Sequence, residues 1–456
     1  MAKGETWEVY VAGRIGAFFS YSRGDGYPVP KVAGSTIQPG GGVDPLTDNS
    51  KPRDTIYNYG PGKPCLPGDA DQTCAMQLPT QGRIDKMRVR SGYYPNILTI
   101  GARKTVNDQL KLSFQLSLWG TIEPDFQPGR GSPLNAAPNG TRDNSVSADF
   151  HEGYLQLEGG WGELRGGRFL SPFGRGLTEI DTLYGHGYGV GFPMVRLDNT
   201  EPVTGHLSLA GPTGGMTGFG VLAGTYSAGV KYTTPSFAGV RLIAGIFDPI
   251  VYKKAVWTST HGPRPEAEIT YDLQGDSLDL HVFASGGYQS LRTQTSDTSI
   301  WGASAGARVE VGPVRVGGGG FLGKGAGVNY AFDSNPALAS SSSTRMVTTP
   351  TGAVTTENTY EIRDTRGFVG MVQVVLGPVD VGAGFGQTQI EQVEADKAAA
   401  MMVSTLKSQT GITAAVVYHL NESMHLGLDF INGKYKWTNG ESQALNVFNG
   451  GVTVTF

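Results

Sequence analysis

Twelve charged residues share one habit of spacing. Arg14, Arg103, Lys111, Lys231, Arg241, Arg308 and Arg315, with Glu152, Glu158, Asp279, Glu310 and Asp429, all fall opposite the apolar residues of alternating segments. The chemistry open to such a set is electrostatic. Charges of both signs on one face of a sheet hold water and sort solutes by sign, and they make or break no bonds. The plainer reading of any one of them is that it solvates the face or pairs with a neighbour.

Bond-making chemistry finds little support. The 7 histidines are scattered, with neither an HExxH pair nor a GxSxG elbow. Alternation sets His281, His419 and His425 on the polar face, whereas a hydrolase working at the lipid face needs Ser and His together there. GHGYGVG (185–191) looks like a phosphate cradle, yet it lacks the preceding strand, the following helix and the Lys-Ser/Thr pair that such loops use. Cys65 and Cys74 stand in CLPGDADQTC with no further Cys or His for a metal, so a short disulfide loop and an oxidising compartment are expected. No enzyme activity, cofactor or metal site is expected, and structural calcium in the loops is left open.

The elements that must position these residues are strands. Val9, Val11, Ile15, Ala17 and Phe19 oppose Glu8, Arg14, Gly16 and Ser20; Leu110, Leu112, Phe114, Leu116 and Leu118 oppose Gln109, Lys111, Ser113, Gln115 and Ser117. The same period of two recurs almost everywhere. It predicts strands at 7–21, 93–104, 109–119, 148–158, 162–169, 226–234, 240–249, 265–273, 277–289, 300–311, 314–323, 364–376, 379–388, 410–420, 424–436 and 444–456. That makes sixteen. A further hairpin over 203–224, around Gly211 to Gly215, would raise the count to eighteen.

Connections alternate between short and long. The short ones are near 105–108, Trp161, 235–239, 274–276, Gly312-Pro313, Gly377-Pro378 and 421–423; the long ones are about 22–92, 120–147, 170–202, 250–264, 290–299, 324–363, 389–409 and 437–443. Every second connection of an antiparallel meander lies at the same end, so one end is trimmed and the other elaborate. Short periplasmic turns with long extracellular loops mark an all-β transmembrane antiparallel up-and-down barrel, one domain over 1–456. Within the loops, 391–409 has helical periodicity and 339–345 (ASSSSTR) is low in complexity.

Composition agrees. The chain has 456 residues, 68 glycines, 39% hydrophobic residues and a net charge of -4 with the signs interspersed. Neither a nucleic-acid partner nor a membrane helix fits that profile. The opening MAKGETW carries no charged start followed by an apolar run, so a mature exported chain with an added start is expected.

Four segments carry a family resemblance: EGYLQLEGGWGELRGGRFLSPFG (152–174), VAGRIGAFFSYSRGDG (11–26), AGVKYTTPSFAGVRLIAGIFD (228–248) and the last strand ending in Phe456. In that order the chain resembles the general diffusion porins of Gram-negative outer membranes. The resemblance implies a sixteen-stranded homotrimeric barrel among lipid and lipopolysaccharide, its third outer loop folded into the pore, passing small hydrophilic solutes and ions passively. It also implies that Glu179 and Asp181 supply the loop's carboxylates and that Arg14 and Arg168 are wall cations. The family's second wall arginine falls near Thr99, with Arg103 displaced from it. Alternatives are a substrate-specific channel, with eighteen strands allowed, and a barrel-anchored adhesin or receptor.

Overall fold

The computed structural model describes residues 6–25, 83–90, 96–120, 148–183, 216–250, 262–292, 297–328, 330–332, 338–348, 352, 354–394, 406–437 and 442–456. Its strands are β1 (Glu8–Asp25), β2 (Arg83–Arg90), β3 (Asn96–Asn107), β4 (Leu110–Gly120), β5 (Ala148–Gly159), β6 (Gly162–Leu170), β7 (Tyr226–Thr233), β8 (Val240–Phe247), β9 (Arg264–Gln274) and β10 (Asp279–Arg292). They continue as β11 (Asp297–Val311), β12 (Val314–Lys324), β13 (Leu338–Thr348), β14 (Val354–Ile362), β15 (Asp364–Leu376), β16 (Val379–Ile390), β17 (Leu406–His419), β18 (Met424–Trp437) and β19 (Ser442–Thr455). Among the described residues between β6 and β7 lies a short helix, α1 (Arg175–Ile180).

Pairing closes on itself. β1 bonds β19 on one side and β3 on the other, and β3 to β12 then β15 to β19 pair in succession. The ring therefore has sixteen members. β2 pairs Phe18–Asp25 on the same side of β1 that β3 uses for Glu8–Arg14, so it extends β3's place in the ring without adding one. At the seam, Gly13 N–H donates to the Phe456 carbonyl at 2.8 Å and Phe456 N–H returns a bond to the Gly13 carbonyl at 3.1 Å. With these bonds, no strand of the ring is left with a free edge.

Every ring strand begins and ends within a few residues of its expected place. One loop expectation fails, and two more are located only in part. The eighteen-strand alternative fails because the ring closes without 203–224: residues 203–215 lie outside the described residues, and 216–224 make only isolated bridges, Thr217 with Val221 and Ala223 with Tyr330. Low-complexity 339–345 falls within β13, which pairs β14 as a separate hairpin in the outer loop before β15. Of the helical stretch 391–409, residues 395–405 lie outside the described residues and Leu406 already opens β17. Cys65, Cys74 and 185–191 lie outside the described residues as well.

The two faces follow the alternation. Phe114, Leu116, Phe19, Ile246 and Phe368 are exposed on the outside, toward lipid. The inner face carries polar residues on every strand, and over β10 to β19 it also carries a second core. Phe173, Leu177, Ile180, Met216, Phe219, Val221 and Leu222 from the connection after β6 are buried against Phe283, Ile300, Phe321, Val369, Met371, Ile390, Ile431 and Tyr435. The barrel thus holds a packed apolar insert along one half of its wall.

The two faces should price a charge differently. Leu116→Arg, at mid-strand toward lipid, is expected to cost roughly 2–4 kcal/mol. Gln115→Lys, one residue away and facing Glu152, should cost much less. Denaturant unfolding from phospholipid vesicles measures both, and equal losses would contradict the assigned faces.

Candidate functional site

The inward connection is seated by inward glycines. A Cβ on Gly386 of β16 would lie 1.9 Å from the Phe219 carbonyl, one on Gly411 of β17 2.4 Å from the Phe219 ring, one on Gly302 of β11 2.2 Å from Phe173 and one on Gly317 of β12 2.5 Å from the Ile180 carbonyl. Side chains at these places would keep the segment off the wall. Here glycine serves as space, making a groove for backbone and aromatic rings to enter.

Charges on the wall then fix α1 at both ends. Its N-cap, Gly174, has no side chain to offer. Glu268 of β9 takes that role, accepting the Gly176 N–H at 3.1 Å and the Arg175 guanidinium, while Glu266 accepts the Phe173 N–H at 2.9 Å. At the other end Arg308 of β11 donates to the Glu179 carbonyl at 2.6 Å. Acid at the N-terminus and cation at the C-terminus match the helix dipole. Glu266 is itself neutralised by Arg264 at 2.7 Å, both side chains fully buried.

Held this way, α1 presents Arg175 and Glu179 to a cavity of about 380 Å³. Glu152 of β5, Glu163 and Arg165 of β6, Lys231 of β7, Arg241 of β8 and Thr270 of β9 form the opposite side. Arg165 pairs with Glu163 at 3.1 Å, donates to Gln156 at 2.7 Å and lies 4.2 Å over the Tyr154 ring. Arg175 bridges Glu179 at 2.5 Å. Burial opposes its charge, but Glu268 and Glu179 outweigh that and hold its pKa above the ordinary guanidinium value. Among the described residues, Lys231 and Arg241 have no carboxylate partner. Lys231 stands directly across from Arg165 in the β6–β7 register, a like-charge pairing that costs the sheet energy.

Of the residues singled out in sequence, Glu152, Glu179, Lys231 and Arg241 meet at this gap. The others are placed elsewhere. Arg103 makes a two-pronged pair with Glu8 (2.8 and 2.7 Å) at the periplasmic rim, where Lys111 pairs with Glu158 at 3.7 Å. Arg14 faces inward from β1 and donates to Thr453 at 3.4 Å. Arg315 pairs with Glu310, also a partner of Arg308. Asp181 is buried: it accepts the Leu183 N–H at 2.9 Å and the Met216 N–H at 2.7 Å, so it clasps the two limbs of the insert and does not face the gap. Arg168 is exposed on Leu164's side and donates to the His151 carbonyl at 3.0 Å. The register shift nearby falls between Ser117 and Leu118 opposite β5, leaves β6 unshifted and so does not turn Arg168 inward.

The chain has a match among known families. The model of the Gram-negative porin family fits residues 80–439. The chain belongs to the Gram-negative porins. This porin is similar in structure to the anion-selective porin of Comamonas acidovorans, at 15% identity and a TM-score of 0.55, over 99% of this chain and 100% of that one. It is also similar to the outer membrane channel DcaP of Acinetobacter baumannii, at 13% identity and a TM-score of 0.58, over 99% and 97% of the two chains. At these identities the likeness is one of fold. No match emerges among curated protein sequences. Family and fold place this porin in the outer membrane as a channel.

Glu179 and Asp181 should separate in experiment. Asp181→Asn keeps one acceptor for two backbone donors and is expected to cost about 1–3 kcal/mol locally. Amide exchange at Leu183 and Met216 should quicken while ion selectivity changes little; Glu179→Gln should do the reverse. Equal selectivity changes in both variants would contradict the assignment of Asp181 as a clasp.

Proposed function

We propose that small hydrophilic solutes and ions cross passively through the gap between α1 and the inner faces of β5 to β9. The observation that carries this reading is the one-sidedness of the lumen: the insert packs its apolar side on β10 to β18 and turns Arg175 and Glu179 toward the charged wall. A narrow aqueous neck between charged surfaces keeps a solute hydrated while exposing it to a local field. No bond-making step belongs to the reading, because these side chains act through charge alone. As in the family this chain resembles, three copies would assemble in the membrane among lipid and lipopolysaccharide.

The sign of the field favours anions. Four cations (Arg165, Arg175, Lys231 and Arg241) and three carboxylates (Glu152, Glu163 and Glu179) line the gap, with Glu268 behind Arg175 as a fourth, so the sign rests on which cations are left without a carboxylate partner. Two of the cations are unneutralised, and Glu152 is held by Gln115 at 3.3 Å and Ser117 at 3.5 Å, with no cation in contact. Arg165 facing Lys231 is a pairing that a passing anion relieves.

Purified protein in planar bilayers should give stepwise channels, and a potassium chloride gradient should give a reversal potential of anion-preferring sign. Replacing both Lys231 and Arg241 by Ala should lower the chloride-to-potassium permeability ratio several-fold with the step size largely kept. Absence of channels would overturn the conducting path. An unchanged ratio in the double variant would overturn the sign argument alone.

A further inference from the structure

A second polar assembly lies on the inner wall near the periplasmic mouth, away from the gap. His419 and His425 are direct partners in the β17–β18 register, the last pair before the turn at 420–423. Their Nδ1 atoms stand 2.7 Å apart, with the rings near perpendicular at 81°. Behind them, His419 Nε2 lies 2.9 Å from Asp380 Oδ2 on β16, and Gln373 of β15 donates to the same oxygen at 3.3 Å.

The carboxylate fixes the tautomer. An ionised Asp380 accepts only, so His419 must carry its proton on Nε2 and keep a lone pair on Nδ1. That lone pair points at His425 Nδ1. In the metal-free protein His425 answers with an N–H. If His425 moves that proton to its own Nε2, through lumen water and with no change of charge, two imidazole lone pairs converge on one point. An imidazole held from behind by a carboxylate is the usual setting of a metal-binding histidine.

We propose that His419 and His425 chelate a divalent transition-metal ion through their Nδ1 atoms, with Asp380 orienting His419 and lumen water filling the other positions. The distance selects the geometry. With metal–nitrogen bonds of about 2.0–2.1 Å, a right-angled pair of ligands needs nitrogens about 2.9 Å apart, whereas a tetrahedral pair needs about 3.4 Å. A separation of 2.7 Å lies closer to the first. Tetragonal Cu2+ or Ni2+ therefore fits with the smaller movement, and Zn2+ fits less well. No three His, Cys, Asp or Glu among the described residues form a fuller cage, so binding rests on two protein ligands and is reversible. Arg14, which bonds Thr453 beside His425, sets a positive charge nearby and weakens it further.

Two readouts test the site, both on the full-length protein. Electron paramagnetic resonance of added Cu2+ should show coupling to two nitrogens, lost in the His419→Gln, His425→Gln double variant. In planar bilayers, Ni2+ added on the side of the short turns should reduce single-channel conductance reversibly. The reduction should need several-fold more Zn2+, disappear in the double variant and require roughly 10-fold more Ni2+ in Asp380→Asn. Channels that form normally and ignore Ni2+ would overturn the inference while leaving the conducting path intact. Nitrogen coupling that survives in the double variant would place the metal elsewhere and overturn it too. Wild-type spectra alone decide if the variants fail to fold, since absence of nitrogen coupling there sinks the site.

Discussion

Hydrocarbon offers no hydrogen bonds, and that single fact organises this chain. An open sheet would leave a row of unpaired N–H and C=O groups in lipid at each edge, each at a cost of several kcal/mol. The last strand must therefore find the first, which is what the β1–β19 pairing and the paired bonds between Gly13 and Phe456 accomplish. Once the ring is closed, period-two alternation sorts residues between lipid and lumen, and a charge is admissible only on the inner side. The polar lumen follows from closure and is available for selection among solutes.

Closure leaves a lumen wide enough to need narrowing, and the chain narrows it with a packed insert. Inward glycines on β11, β12, β16 and β17 let Phe173, Ile180 and Phe219 approach the wall closely. Glu268 and Arg308 then satisfy the ends of α1, which is too short to stand by itself. Packing sets where the insert lies and electrostatics sets its orientation, so Glu179 faces the gap while Asp181, two residues on, is turned inward to hold the limbs together. The abundance of glycine, poor material for an aqueous core, serves this arrangement.

Alternation is dense information because every strand repeats it, and all sixteen ring strands were legible. The site was legible only in part. Parity assigns a face and says nothing of height, so Arg103 and Lys111 were identified as inward although they stand at the rim. Glu266 and Glu268, alternating with Ala267 and Ile269, and Glu163 and Arg165, flanking Leu164, carried the same signal within their strands. Their importance lies in what the insert does against them. Asp181 and Arg168 depended on resemblance in sequence. The two limbs that Asp181 joins, at Leu183 and Met216, are far apart in the chain and no local pattern reveals their meeting.

The claim on which the functional account depends is that solutes pass between α1 and the wall of β5 to β9. Thr233 lines that gap, so a Thr233→Cys variant treated with a charged thiol reagent measures it directly, with treated wild type correcting for Cys65 and Cys74. The account predicts a clear fall in single-channel conductance for Thr233→Cys and none for the lipid-facing Leu116→Cys. Unchanged conductance in a fully labelled Thr233→Cys channel would contradict it.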